Sequence, residues 1–209
     1  MEERATEQPV AARNGAQPAA RPRLGMWALM REDYRAFSRL RGDSGAFKRR
    51  LLFLPRLLIN PSLHAVVLVR LTNGSPPWLH WLWRNILIWK HSMDLAYRCE
   101  IGPGLFLPHP HSISMAPGVT IGSRCRIAHM TNFGANPGDR HGPVIGDGVV
   151  VFMSSSVIGD LTIGDGCVVG AHAMVTKDMP PGSLAIGPKA AIVEGKGAEI
   201  LASGHILEM

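Results

Sequence analysis

The chain has 209 residues, 46% of them apolar, and a formal net charge of +6. That length holds one sizeable domain, or one domain with a smaller appendage, and the apolar share is ample for a packed core, which excludes a fibrous or wholly disordered protein. Charge is uneven: residues 1–60 carry twelve Lys and Arg against six Asp and Glu, whereas residues 61–209 carry ten of each.

A basic first third suits nucleic acid, anionic lipid or an acidic partner. A solvated helical face, such as Lys48, Arg49 and Arg50 beside Leu51 and Leu52, explains it more simply, and no nucleic-acid partner is expected. Cys99, Cys125 and Cys167 are odd in number, widely spaced and without a CxxC pair, which suits a reducing compartment, and Cys99 and Cys125 fit small core or coil-face positions.

Residues 1–25 lack an apolar run and carry Glu2, Glu3 and Glu7, so they suit neither a secretory signal nor a transit peptide and read as a disordered tail. Residues 26–59 read as helices: Trp27, Met30, Tyr34 and Phe37 recur at spacings of three and four, and Gly42 to Gly45 marks a break. Asn60-Pro61-Ser62 is a cap and start for a second helical stretch through Leu71, and a third runs from Trp78 to about His91. Leu71 to Trp83 has no formal charge, but Pro76, Pro77 and Arg84 keep it far short of the roughly 20 apolar residues of a membrane span. The expectation is a cytoplasmic protein with an α-helical region over 26–93. Trp78, Trp81, Trp83 and Trp89 are expected to serve helix packing, with peripheral membrane contact the less favoured use.

From Ile145 onward one apolar residue returns every six positions: Ile145, Val151, Val157, Ile163, Val169, Val175. A helix needs spacings of three and four and a simple strand alternates every two, so neither fits. A short fixed period marks stacked repeats that share one core. The same frame begins near Ile101 and runs through Leu107 and Ile113. It re-phases at Ile121, an interval of eight, and continues through Ile127 to Phe133. Residues Gly134 to Pro143 then break the pattern as an extruded loop. Pro180, Pro181 and Gly182 are expected to end the repeats.

Glycines paired with the frame, as in Ile145-Gly146 and Ile163-Gly164, are architectural, serving tight bends between short strands. The chemistry-bearing cluster is His109, His111, His129 and His141 with Asp94 and Arg140. If three hexapeptides close a coil of 18 residues, Asp94, fifteen residues before His109, can lie on a neighbouring coil and orient its imidazole. His129 lies twenty residues after His109, one full coil once two inserted residues are subtracted, so the two rings should stack. A histidine near its ordinary pKa suits removal of a hydroxyl proton. His111 and His172 are read as structural or surface residues.

In Ile101-Gly102-Pro103-Gly104-Leu105-Phe106-Leu107-Pro108-His109 and Gly138-Asp139-Arg140-His141 the chain resembles the serine acetyltransferase branch of the hexapeptide acyltransferases, over about residues 60–193. The resemblance implies a mainly β fold with an α-helical amino-terminal region, a left-handed parallel β-helix of hexapeptide repeats over 94–193, and a carboxy-terminal tail over 194–209. It implies His109 as general base with Asp94 as its partner, and Arg140 and His141, with Asp139 and His129, around the acceptor. It also implies a homotrimer or dimer of trimers, with acetyl-CoA in grooves between subunits and no metal. Gly134, Ala135, Met153 and Ala171 would line the pantetheine arm, with Lys177 on a phosphate. Pro108 stands where that family has an aspartate for the substrate amino group, so the acceptor expected is a small polar alcohol: a serine-like amino acid, a sugar or a specialised metabolite. Two other classes fit the same fold: a zinc-dependent lyase of carbonic anhydrase type using His109, His129 and His141, and a non-catalytic scaffold.

Overall fold

Helical spacing over residues 26–91 becomes four helices among the described residues: α1 (Met26–Leu40), α2 (Ala46–Ile59), α3 (Pro61–Gly74) and α4 (Pro77–His91). The structure, a computed structural model, describes residues 24–40, 42, 46–97, 99–139, 141–190, 192 and 194. The tails expected over 1–25 and 194–209 fall almost wholly outside the described residues, and Arg140 lies outside them too.

Helix boundaries have local causes. Asn60 caps α3, its side-chain oxygen accepting the Leu63 N–H at 3.2 Å, and Pro61 follows at a position where a missing N–H costs nothing. Ser92 closes α4 in the left-handed conformation, φ 52°, and donates its N–H to the Ile88 carbonyl. Ala65, Val66, Leu68 and Val69 of α3 and Leu87 of α4 join one core with Met93 and Leu95, so the helices cap the end of the repeats and share their interior. The inner face of α4 is His80, Leu87 and His91. Trp83 packs against the core, but Trp78, Trp81 and Trp89 are 75%, 66% and 88% exposed, correcting the expectation that all four serve packing. Among the described residues no single helix is long and apolar enough to cross a membrane.

A buried ion pair locks this cap in place. Arg70 on α3 donates to Asp33 on α1 at 2.7 and 2.9 Å and to the carbonyls of Ile101 and Gly102 at 2.5 and 2.6 Å. Asp33 also accepts the N–H groups of Gly104 and Leu105 at 2.8 and 2.9 Å. Each buried charge thus meets its counter-charge and two backbone groups, the condition under which such a pair is tolerated.

The repeats form short parallel strands in three sheets. The first holds β1 (Asp94–Leu95), β3 (Ser114–Met115), β6 (Asn132–Gly134), β9 (Ser156–Ile158) and β12 (Met174–Val175). The second holds β2 (Glu100–Ile101), β4 (Thr120–Ile121), β7 (Val144–Ile145) and β10 (Thr162–Ile163). The third holds β5 (Arg126–Ile127), β8 (Val150–Val151), β11 (Val168–Val169) and β13 (Leu184–Ala185). The chain visits the sheets in turn, so they are the faces of a prism. The second residue of each strand points inward: Ile145, Val151, Val157, Ile163, Val169 and Val175 are all buried, as their six-residue period requires. Cys99, Cys125 and Cys167 are buried as well, and burial pushes the Cys99 thiol up to about 11.

Two details of the frame differ from expectation. Asp94 pairs with Ser114, Glu100 with Thr120 and Phe106 with Arg126, each twenty residues on, whereas Ser114 pairs with Asn132, eighteen on. The eight-residue step therefore runs from Leu107 to Met115, not from Ile113 to Ile121, and the two extra residues sit in the corner Pro108–Ser112. Ile113 is buried, so its apolarity imitates the frame. The repeats also continue past Pro180–Gly182, because β13 pairs with β11.

Candidate active site

The edge between the third and first sheets carries the histidines. Successive corners there are tied by N–H donors to carbonyls: Ser112 to His91, Met130 to His111, Ser154 to His129 and His172 to Met153. His91, His111, His129, Met153 and Ala171 thus occupy equivalent places in one column. The residue after each, from Ser92 to His172, has a left-handed φ of 52° to 59°. His109 is also left-handed, φ 52°, but stands outside this series, in the inserted corner. A bulky residue held there has a conformation that local energetics disfavour, and such positions concentrate at functional sites.

The bulge pushes the exposed His109 ring out over the next coil, where it meets His129 edge to face with centroids 5.9 Å apart. The expected closeness of these two residues is therefore present, but the rings meet edge to face rather than stacked. His129 Nδ1 is buried and without a hydrogen-bond partner among the described residues. In front of His109 opens a cleft of about 500 Å³, walled by Phe37 and Leu40 of α1, Asn60 and Ser62 at the start of α3, and the Pro108–His111 corner.

Behind the corner lies a group that the spacing arguments missed. His64 Nδ1 and His91 Nε2 are 2.9 Å apart, so one ring donates to the other, and the His91 and His111 centroids are 5.9 Å apart. Burial, then the charges of His64 and His111, push His91 down to about 4 against the opposing Pro110 carbonyl. Burial and Lys90 lower His64. His91 is therefore neutral at pH 7 and acts as a packing group. The signal was faint, because His64 and His91 sit in different helices, 27 residues apart.

Asp94 faces outward at the start of the first sheet, where its two oxygens accept a bidentate fork from Arg84 at 2.7 and 2.8 Å. No hydrogen bond joins it to His109. Asp94 in turn raises the Arg84 pKa through that hydrogen bond. The pair is 38% and 48% exposed, so it is worth at most about 1 kcal/mol.

The extruded loop leaves the opposite edge of the first sheet. Asp139 shapes it: its Oδ2 accepts the Asn136 N–H at 2.7 Å and its own N–H donates to the Asn136 carbonyl at 3.0 Å. His141 is exposed, and within one chain no hydrogen bond or ring contact links it to His109 or His129. The residues expected along the pantetheine arm divide the same way. Met153 and Ala171 continue the histidine column, whereas Gly134, Ala135 and the exposed Lys177 lie on the loop edge. Among the described residues, no three His, Cys, Asp or Glu side chains converge as a metal site.

The family model for bacterial transferase hexapeptide (six repeats) matches residues 142–177. Serine acetyltransferase of Helicobacter pylori is 30% identical over 141 residues, 64% of this chain and 82% of that one. Serine acetyltransferase 3, mitochondrial, of Arabidopsis thaliana is 35% identical over 108 residues, 50% of this chain, which spans only 27% of that relative. Among solved structures, serine acetyltransferase isoform 3 of Entamoeba histolytica, in complex with cysteine, superposes with a TM-score of 0.66 at 20% identity, over 85% of this chain and 64% of that one. The shared fold is the left-handed parallel β-helix with amino-terminal helices.

Proposed function

Because the chain belongs to the serine acetyltransferase family of hexapeptide-repeat transferases, we propose that it transfers an acetyl group from acetyl-CoA to the hydroxyl of a small polar acceptor, L-serine being the first to test. The observation that carries this reading is the His109 corner: an imidazole held in a left-handed bulge, against His129, at the mouth of a cleft large enough for a small alcohol. In the proposed step, His109 takes the hydroxyl proton as the acceptor oxygen attacks the thioester carbonyl. The tetrahedral oxyanion is stabilised by coil N–H groups, and His109 then returns the proton to the departing thiolate sulfur. Asp94 is the proposed orienting carboxylate, for which Arg84 competes. Ser62 and Asn60 face the acceptor across the cleft from Pro108, which offers no donor.

The described members of the acceptor set are split between two edges of one prism, with His109 and His129 on one and His141 on the loop edge. A second copy set side by side about a threefold axis brings one edge against the other, so the proposed working unit is a homotrimer, or a dimer of trimers, with acetyl-CoA along the groove between copies. Release of free thiol from acetyl-CoA, assayed with L-serine, L-homoserine and a set of sugars, tests the reading. Acceptor-dependent release is expected, and its absence with every acceptor overturns it.

A further inference from the structure

A second cleft, of about 620 Å³, opens between α1 and the third sheet. Glu32, Arg35 and Arg39, at spacings of three and four on α1, form one wall; Arg124 and Arg126 form the other. Among the described residues the one carboxylate lining it, Glu32, is taken by Arg35 at 2.6 Å. Arg39, Arg124 and Arg126 make no ion pair with any described residue. Arg126 is held instead over the Phe106 ring, 5.4 Å from its centroid, a contact that steadies a guanidinium without neutralising it. Guanidiniums with no counter-charge among the described residues repel one another across facing walls, and their planar forks match the oxygens of a phosphate.

Leu40, Phe106 and Arg126 also line the cleft in front of His109, so the two cavities share a wall. The expected pantetheine residues, from Gly134 to Lys177, lie on the first sheet and its edges, away from this cleft. We propose that the arginine cleft binds a phosphate group carried by the acceptor, so that a phosphate-bearing alcohol reaches His109 with its hydroxyl. The assignment to the acceptor rests on the acetyl-transfer reading above; the anion site itself does not.

Calorimetric titration of the full chain with inorganic pyrophosphate tests the site without turnover. Saturable, salt-sensitive binding is expected, weakened at least tenfold in the Arg124→Ser, Arg126→Ser double variant. Equal affinity in both proteins, or no binding to either, overturns the site. Comparing glycerol 3-phosphate with glycerol, and CoA with 3′-dephospho-CoA, then separates the sources. The acceptor assignment predicts at least tenfold tighter binding of the phosphorylated alcohol, lost in the double variant. Sensitivity to the two arginines confined to the 3′-phosphate of CoA overturns it. Loss of thiol release alone, with the pyrophosphate titration intact, counts against the acetyl-transfer reading and not against the anion site.

Discussion

Asp33 and Arg70 show how one pair of side chains can hold two parts of a fold in register. Both are buried, and each bonds backbone of the first coil as well as its partner. Replacing Asp33 by Asn leaves the guanidinium buried without a counter-charge, and the expected loss is about 3–5 kcal/mol of unfolding free energy, read by denaturant titration. His91 gives a prediction in pH. Its folded-state value of about 4 lies below the ordinary 6.5, so the folded chain binds fewer protons than the unfolded one between those values. Stability from this group is present above pH 6.5 and drains away as pH falls toward 4. His64 on α3, Lys90 on α4 and His111 in the inserted corner face the same ring. Thermal melts should therefore fall over that window, and the fall should be shallower in His91→Gln; identical slopes would refute the assignment. Neither the ion pair nor the histidine group was legible in the sequence, because their members are 37 and 27 residues apart and no period connects helix to coil.

At the scale of elements, the stacking distance of the coils is set where glycine follows the frame. A Cβ built on Gly102 would lie 2.7 Å from the Gly122 carbonyl carbon, and one on Gly122 would strike Gly146. The Gly122→Ala variant forces backbone apart rather than a flexible side chain, so a loss of about 1–3 kcal/mol is expected by thermal or chemical unfolding. The six-residue period made the coil legible because each strand is only two or three residues long and contributes one inward residue per face. The same rule misplaced the insertion by one repeat. Ile113 is apolar and buried but belongs to a corner, and apolarity alone does not distinguish a corner residue from a strand residue. Pairing of Asp94 with Ser114 is what moves the two extra residues to Pro108–Ser112 and so gives His109 its bulge.

For the whole molecule, the consequence is that the expected site residues lie on two separate edges of the prism. The twenty-residue interval foretold that His109 and His129 would meet, and their rings do. That His141 would lie on another edge was hidden, because intervals along the chain measure height on the prism and not which side faces a neighbour. The split leads to a prediction about assembly: the active species should sediment as a trimer or a multiple of three, and an active monomer would contradict the shared groove. The proposed chemistry turns on proton transfer at His109. Asn tolerates a left-handed backbone better than most residues, so His109→Asn removes the imidazole with little disturbance of the corner. With the best acceptor, its turnover number in the thiol-release assay should fall about 10²- to 10⁴-fold while the melting temperature stays unchanged. Turnover within about threefold of the parent chain would contradict a proton-transfer role for His109.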